Sequence, residues 1–173
     1  ILVVGFFAAL SFAVPGILKQ KFPPISTVQP FAFVNQDGKT ITEKDIKGKV
    51  VAVNYFFTTC LGICPIMTNN LLPVYEDFKN EEDFLLVSHT CDPERDSIPV
   101  LKKYADSIKA NTEKWIFLTG PKDKLYSMAR HSYKIDDPKN YVQSIEDQFL
   151  HTQYVALVNK KGEVVKIYDG IKP

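Results

Sequence analysis

The stretch Val50–Phe57 constrains the fold most, because it is a nearly continuous apolar and β-branched run with the length of one strand. Such a run is typical of a strand that is buried on both faces of a sheet. It leads into Cys60-Leu61-Gly62-Ile63-Cys64-Pro65, after which the apolar spacing becomes helical as far as Phe78. Proline is tolerated in the first turn of a helix. The sequence therefore predicts a buried strand, a loop with two cysteines, and a helix that starts near Pro65.

Strand and helix patterns continue on both sides of this unit. A hairpin with the turn Asp37-Gly38 comes before it, and further strands and helices follow it. The predicted elements are the strands Phe31–Val34 and Lys39–Thr42, the helix Glu43–Ile46, the strand Phe84–Ser88, the helix Ile98–Ala110 capped by Asp96 or Ser97, the strand Trp115–Leu118, the helix Lys122–Tyr133, and the closing strands Gln153–Val158 and Glu163–Tyr168. This order indicates an α/β fold with a mixed sheet flanked by helices.

The first residues, Ile1–Leu18, form a separate apolar segment with no charge and with Ser11 as its one polar side chain. As a helix the segment would span about 27 Å, close to the thickness of a bilayer core. A transmembrane anchor, the core of a signal peptide and a buried helix are the three interpretations. The anchor is favoured because signal cores are roughly 7–15 residues long. We predict a transmembrane helix over 1–18, a stiff linker over 19–30 and one domain over 31–173.

Length and charge limit the possible functions. The 173 residues suffice for one domain with a full core and a short appendage. The net charge of +1 comes with no basic stripe along the chain, which argues against nucleic-acid binding.

The two cysteines at the predicted strand–helix junction have a clear chemical use. Free backbone N–H groups and the helix dipole lower the pKa of a thiol at a helix N-terminus, and the thiolate attacks disulfides and binds metals. We therefore predict that Cys60 and Cys64 form a working dithiol, with an inert pair or a structural disulfide as the alternative. A structural zinc site would need four ligands, and the chain has no second cysteine pair. Two cysteines and a histidine are enough for Cu(I), which prefers soft thiolates.

Four stretches of the chain together carry a family resemblance. They are Phe57–Pro65 with the two cysteines, Thr90–Ser97 with Asp-Pro-Glu-Arg-Asp, Trp115–Gly120, and Phe149-Leu150-His151-Thr152 followed by Val158–Glu163. In this order they resemble the copper motif and three further motifs of the Sco family of cytochrome c oxidase assembly proteins. The similarity covers nearly all of the predicted domain, from Ile25 to Gly170.

The resemblance implies a thioredoxin-like fold that binds copper through Cys60, Cys64 and His151. The copper would be Cu(I), with Cu(II) as a further oxidation state. The implied partner is the copper-bearing subunit of a haem–copper oxidase. The implied location is the outer face of a membrane, which is the periplasmic side in a bacterium or the intermembrane space in a mitochondrion. The predicted anchor agrees with that location and with a place in a larger respiratory assembly.

Two positions depart from the family pattern. Leu150 stands where the family usually has an Asp directly before the ligand histidine, so any tuning of the imidazole by that carboxylate is lost or supplied elsewhere. Cys91 stands where the family usually has an aliphatic residue, at the end of a strand that should reach the same sheet edge as Cys60. A small buried side chain is the simpler interpretation of Cys91, with a third ligand or a resolving thiol as the alternative.

Other residues that could carry chemistry have simpler structural interpretations. These residues are His89 as a structural histidine, His131 as an exposed one, Met67 and Met128 as core residues, and Asp92, Arg95 and Asp96 as a helix cap with a local ion pair.

The sequence leaves two functions open and argues against a third. The first is a metallochaperone that holds copper and transfers it by ligand exchange, which needs His151. The second is a thiol–disulfide oxidoreductase that reduces the cysteines of the oxidase subunit, which needs only the dithiol. A thiol peroxidase would need a Thr-x-x-Cys arrangement, and Thr58 lies only two residues before Cys60.

Overall fold

The computed structural model describes residues 23–136, 149–150 and 152–172. In chain order its elements are β1 (Ser26–Thr27), β2 (Ala32–Asn35), β3 (Thr40–Thr42), α1 (Glu43–Ile46), β4 (Val50–Phe56), α2 (Ile63–Phe78), β5 (Phe84–Thr90), α3 (Ile98–Ser107), β6 (Trp115–Thr119), α4 (Lys122–Ser127), a π-helical turn (Met128–Ser132), β7 (Tyr154–Val158) and β8 (Glu163–Asp169). The predicted α/β alternation is confirmed.

The strands form one mixed sheet with the order β1-β8-β7-β4-β5-β6-β2-β3. The three central strands β4, β5 and β6 run parallel, and the outer strands pair antiparallel. Parallel strands carry their carboxyl ends at the same edge of a sheet. The cysteine loop after β4 and the Asp-Pro-Glu-Arg-Asp segment after β5 therefore lie next to each other.

Side chains from the central strands are buried on both faces of the sheet. In β4, Val51, Val53 and Tyr55 belong to one core, and Ala52 and Phe56 belong to the other. The first core includes side chains from α4 and the π-helical turn, and the second includes side chains from α2 and α3. Two-sided burial explains why this strand is an apolar run in the sequence instead of an alternating pattern.

Several boundaries differ from the predicted ones. The helix α2 begins at Ile63 and continues through Pro73. The helix α3 ends at Ser107, short of Ala110, and Lys109 follows with a φ of 56° that no right-handed helix contains. Two residues of the segment predicted as a linker, Ser26 and Thr27, pair with β8 as an edge strand.

The predicted helix Lys122–Tyr133 is one α-helix followed by a π-helical turn. The amide of Tyr133 donates to the carbonyl of Met128 at 2.8 Å, a bond that spans five residues where an α-helix spans four. The predicted cap of α3 is wrong in detail. Ser97 occupies the N-cap position but makes no side-chain cap bond, and the carboxyl group of Asp96 accepts hydrogen bonds from Thr58 and Thr90 instead.

The predicted anchor Ile1–Leu18 lies outside the described residues. Within residues 23–136, 149–150 and 152–172, no helix is both long enough and apolar enough to cross a membrane.

Candidate metal and redox centre

The dithiol lies in the loop that joins β4 to α2. Cys60 is partly exposed, and Cys64, in the first turn of α2, is 6% exposed. Leu61 between them is 99% exposed, so the loop presents its outer side to solvent. Gly62 is the N-cap residue of α2 and has no side chain to cap the helix. The free N–H groups of the first turn are therefore available to a nearby sulfur atom.

The helix N-terminus lowers the pKa of Cys60. Partial burial by itself raises this pKa, but the Cys64 thiol and the backbone N–H groups of Cys64, Gly62 and Ile63 all donate to the Cys60 sulfur and outweigh the burial. Cys60 is therefore the cysteine of the pair that more readily forms a thiolate.

Cys64 has the opposite environment. Burial and the hydrogen bond that its thiol makes with Cys60 together raise the pKa of Cys64 to about 12, although the backbone N–H of Phe57 opposes the shift. The two sulfur atoms are thus close enough for a hydrogen bond. One of them is suited to be the thiolate acceptor and the other the thiol donor.

Hydrogen bonds to Asp96 hold the loop in front of Cys60. The Asp96 side chain is 1% exposed and lies between the ends of β4 and β5. Its oxygens accept the backbone N–H of Thr58 at 3.2 and 3.3 Å, the hydroxyl of Thr58 at 2.5 Å and the hydroxyl of Thr90 at 2.5 Å. The predicted local ion pair is also present, between Arg95 and Asp92 at 3.7 Å. Sequence reasoning missed the role of Asp96. The threonines at the carboxyl ends of two parallel strands are the signal that could have indicated it.

Cys91 lies near the dithiol but is closed off from solvent. It is 3% exposed, and its thiol and its backbone N–H both donate to the carbonyl of Phe56, at 3.1 and 2.8 Å. Burial raises the pKa of Cys91, and the neighbouring Cys64 adds to this shift. These observations support the interpretation of Cys91 as a small buried side chain at a strand end.

His151 lies outside the described residues, but two residues before it are described. Leu150 is buried, and its amide donates to the hydroxyl of Tyr126 at 3.1 Å. That hydroxyl donates in turn to the carbonyl of Cys91 at 2.8 Å. Phe149 packs edge-on against Phe57, with ring centroids 5.0 Å apart. The chain next to His151 therefore runs beside the strand ends that carry the dithiol. Among the described residues, no group of three or more His, Cys, Asp and Glu side chains could hold a metal ion.

The remaining candidates have structural roles. His89 is fully buried, stacks on Tyr55 at 5.0 Å and has its Nε2 atom 3.3 Å from the hydroxyl of Tyr133. Burial lowers the pKa of His89 to about 3. His131 is exposed. Met67 and Met128 belong to the two cores, as predicted.

A mixed sheet flanked by helices, with a dithiol at the junction of a central strand and a helix, defines the thioredoxin-like class. Within that class, a family model described as SCO1/SenC matches residues 20–173. The SCO1 protein homolog of Bacillus subtilis (strain 168) is 35% identical over 149 residues, which are 84% of this chain and 75% of that protein. The chain belongs to the SCO1/SenC family.

Solved structures agree with this assignment. BsSco, described as a member of the Sco family of cytochrome c oxidase assembly proteins with a disulfide switch, superposes with a TM-score of 0.73 at 34% identity and 90% coverage of both chains. Arabidopsis thaliana ScoI with copper bound superposes with a TM-score of 0.66 at 29% identity, covering 83% of this chain and 88% of that one.

Proposed function

We propose that the chain is a membrane-anchored copper metallochaperone that serves assembly of the binuclear copper centre of cytochrome c oxidase. The observation that carries the proposal is the contact between the Cys60 and Cys64 thiols at the N-terminus of α2. The family supplies the context, because ScoI of Arabidopsis thaliana was solved with copper bound.

The chemistry of the dithiol fits copper as cargo. Cu(I) prefers soft thiolates, and a pair of sulfur atoms in hydrogen-bond contact can reach one ion together. The lowered pKa of Cys60 reduces the cost of deprotonating the first ligand. The partly exposed Cys60 and the fully exposed Leu61 leave one side of the site open. A donor atom of a partner protein could therefore replace Cys60 without unfolding of the loop.

We propose His151 as the third ligand, after the family resemblance. Support comes from the described residues before it: the bond from Leu150 to Tyr126 and the contact of Phe149 with Phe57 keep this part of the chain at the dithiol edge. The described residues thus provide two thiols and bring the neighbours of a histidine to the same edge. With His151 as the proposed third ligand, the donors would be two thiolates and an imidazole, a set that Cu(I) accepts.

A thiol–disulfide oxidoreductase is the second candidate, favoured by the opposite pKa shifts of the two cysteines. The Cys60 thiolate would attack a disulfide of the partner and release one partner thiolate. Cys64, after losing its proton, would attack the Cys60 sulfur and release the second partner thiol. The partner disulfide would be reduced and Cys60–Cys64 oxidised, so an external dithiol would have to restore the protein.

We propose that Ile1–Leu18 is the anchor, that 19–30 contains the linker and that the domain 31–173 lies on the periplasmic side or in the intermembrane space. The partner would be the copper-bearing subunit of a haem–copper oxidase.

Replacement of His151 by Ala tests the metallochaperone against the oxidoreductase. We expect the Cu(I) affinity in a competition titration to fall by orders of magnitude, because one of three ligands is lost. The reduction potential of the dithiol should stay nearly unchanged, because disulfide exchange does not use the imidazole. His131→Ala, which removes an exposed histidine, is the matched control. Wild-type copper affinity in His151→Ala would show that the three-ligand site is wrong.

A further inference from the structure

Asp96 occupies a position where a helix cap is expected, but its carboxyl group binds the cysteine loop instead. It directly precedes the N-cap residue Ser97, which makes no side-chain cap bond. The Asp96 carboxyl group accepts three donors, of which two belong to Thr58 and one to Thr90. The hydroxyl of Thr90 also accepts the backbone N–H of Asp92 at 2.9 Å, so its own hydrogen is free to point at Asp96.

The loop that Asp96 holds is the one that places the two sulfur atoms. Thr58 lies between Phe57 and the dithiol. The carbonyl of Phe57 accepts the backbone N–H of Cys60 at 3.2 Å, and the backbone N–H of Phe57 donates to the Cys64 sulfur. A shift of Thr58 would therefore move both contacts that Phe57 makes with the cysteines.

We propose that Asp96 is a positioning residue of the dithiol: its bonds to Thr58 and Thr90 join the loop after β4 to the end of β5 and keep the Cys60 and Cys64 sulfur atoms together. The residue itself touches neither sulfur atom in any hydrogen bond of the described residues. This inference rests on the proposed function only where copper is concerned.

Positioning and charge predict opposite effects, which makes the proposal testable. The negative charge of a buried carboxylate disfavours a thiolate near it. Asp96 has this effect on Cys91, whose pKa it raises. If Asp96 acted through its charge, its removal would strengthen thiolate formation and copper binding, and Thr58→Val would change nothing. If Asp96 acts by positioning, Asp96→Ala and Thr58→Val both weaken the site.

The experiment compares the purified full chain with Asp96→Ala, Thr58→Val and Thr90→Val in two measurements. The first is Cu(I) affinity by competition titration. The second uses no metal: the equilibrium of the dithiol with glutathione disulfide, which forms the Cys60–Cys64 disulfide and two glutathione thiols, reports how closely the sulfur atoms are held. We expect Asp96→Ala to lower both constants about 10-fold, the lower end for loss of a supporting group around a metal site. Thr58→Val and Thr90→Val, which each remove a hydroxyl bonded to Asp96, should also lower both constants.

Ser88→Ala is the matched control, because it removes a buried hydroxyl of β5 that is bonded to Asn54 and Trp115, away from the cysteine loop. Both constants should stay within about twofold of wild type, since a loss of global stability alone does not move the sulfur atoms. Asp96→Ala or Thr58→Val with wild-type or higher constants would overturn the proposal. If Asp96→Ala does not fold, the two constants of Thr58→Val and Thr90→Val decide the question: lowered constants support the proposal, and wild-type or higher constants overturn it. If Cys60→Ser keeps wild-type copper affinity, the proposed function fails, while the glutathione equilibrium still decides the role of Asp96.

Discussion

Cys60 and Cys64 are identical residues four positions apart, and their surroundings give them opposite acid strengths. The Cys60 sulfur accepts hydrogen bonds from the thiol of Cys64 and from three backbone N–H groups. These bonds lower the pKa of Cys60, although its partial burial acts in the other direction. Cys64 lies in the core between the sheet and the helices α2 and α3, where burial, together with the hydrogen bond to Cys60, raises its pKa to about 12. A pair with unequal acidity separates the roles of the two sulfur atoms, as disulfide exchange requires.

Alkylation of the reduced protein should therefore occur first at Cys60. From an ordinary value of 9.0, one pKa is lowered and the other is raised to about 12, so the thiolate fractions at neutral pH differ by about a thousandfold or more. The more acidic thiolate is the weaker nucleophile, with a Brønsted slope of about 0.4–0.5, so we expect a rate ratio of about 10 to 100. Limited iodoacetamide labelling followed by peptide mass spectrometry measures this ratio.

Cys91 provides an internal control for accessibility in the same experiment. Its thiol is buried and donates to the carbonyl of Phe56, so it should be labelled last. Equal labelling of Cys60 and Cys64 would contradict the assignment of Cys60 as the thiolate.

At the scale of elements, a buried polar network ties the three parallel strands together beneath the site. Ser88 of β5 donates to the side-chain oxygen of Asn54 in β4 at 2.6 Å and accepts the indole N–H of Trp115 in β6 at 2.9 Å. All three side chains are nearly or fully buried. The network stabilises the packing of the three central strands in the interior of the sheet.

Ser88→Ala should lower the free energy of unfolding by about 1–3 kcal/mol, because it leaves the indole N–H of Trp115 and the Asn54 oxygen without their partner in a dry interior. Urea denaturation measures the change. Ser107→Ala is the control: its hydroxyl bonds to the carbonyl of Tyr104 on an exposed helix end, and its loss should change the free energy by less than about 0.5 kcal/mol. Equal effects of the two substitutions would show that the network contributes nothing to the central strands.

The elements themselves were largely predictable, and their ends were less so. The pattern around Val50–Phe56 predicted a doubly buried strand because burial on both faces imposes an apolar run. The π-helical turn after Ser127 had no local signal, since the sequence of a π-helical turn resembles that of an α-helix. The pairing of β2 with β6 joins residues about eighty positions apart, and no periodicity reports such a contact.

For the molecule as a whole, we expect the buried His89 to make the stability of the folded protein sensitive to acid. It lies among Tyr55, Tyr133, Phe31 and Phe33, with ring centroids 5.0 to 6.1 Å away. Its Nδ1 atom has no hydrogen-bond partner among the described residues. Burial lowers its pKa from 6.5 to about 3, so the folded protein keeps this imidazole neutral where the unfolded chain takes up a proton.

The free energy of unfolding should therefore be independent of His89 above pH 6.5 and should fall as the pH decreases from 6.5 towards 3. The slope contributed by one such group is at most about 1.4 kcal/mol per pH unit. The range between pH 4.5 and 6.5 is the best one for the test, because the lowered pKa values of Asp37 and Asp45 affect stability only at more acidic pH. Urea denaturation at several pH values measures the slope.

His89→Phe should flatten this slope, because phenylalanine fits an aromatic surrounding and takes up no proton. His131→Asn removes an exposed histidine and should leave the slope as in the wild type. An unchanged slope in His89→Phe would show that another group causes the acid sensitivity.

The order of strands and helices, the dithiol at the strand–helix junction and the family could all be predicted from the amino-acid sequence, because periodicity and motifs are local properties of the chain. The bonds of Asp96 to Thr58 and the different acidities of Cys60 and Cys64 emerge from the folded structure alone. The physical reason is that hydrogen bonds and burial at the site depend on groups from β4, β5 and α2, which come together only when the sheet is formed. His151 remains a prediction from the family pattern, and its replacement by Ala tests it.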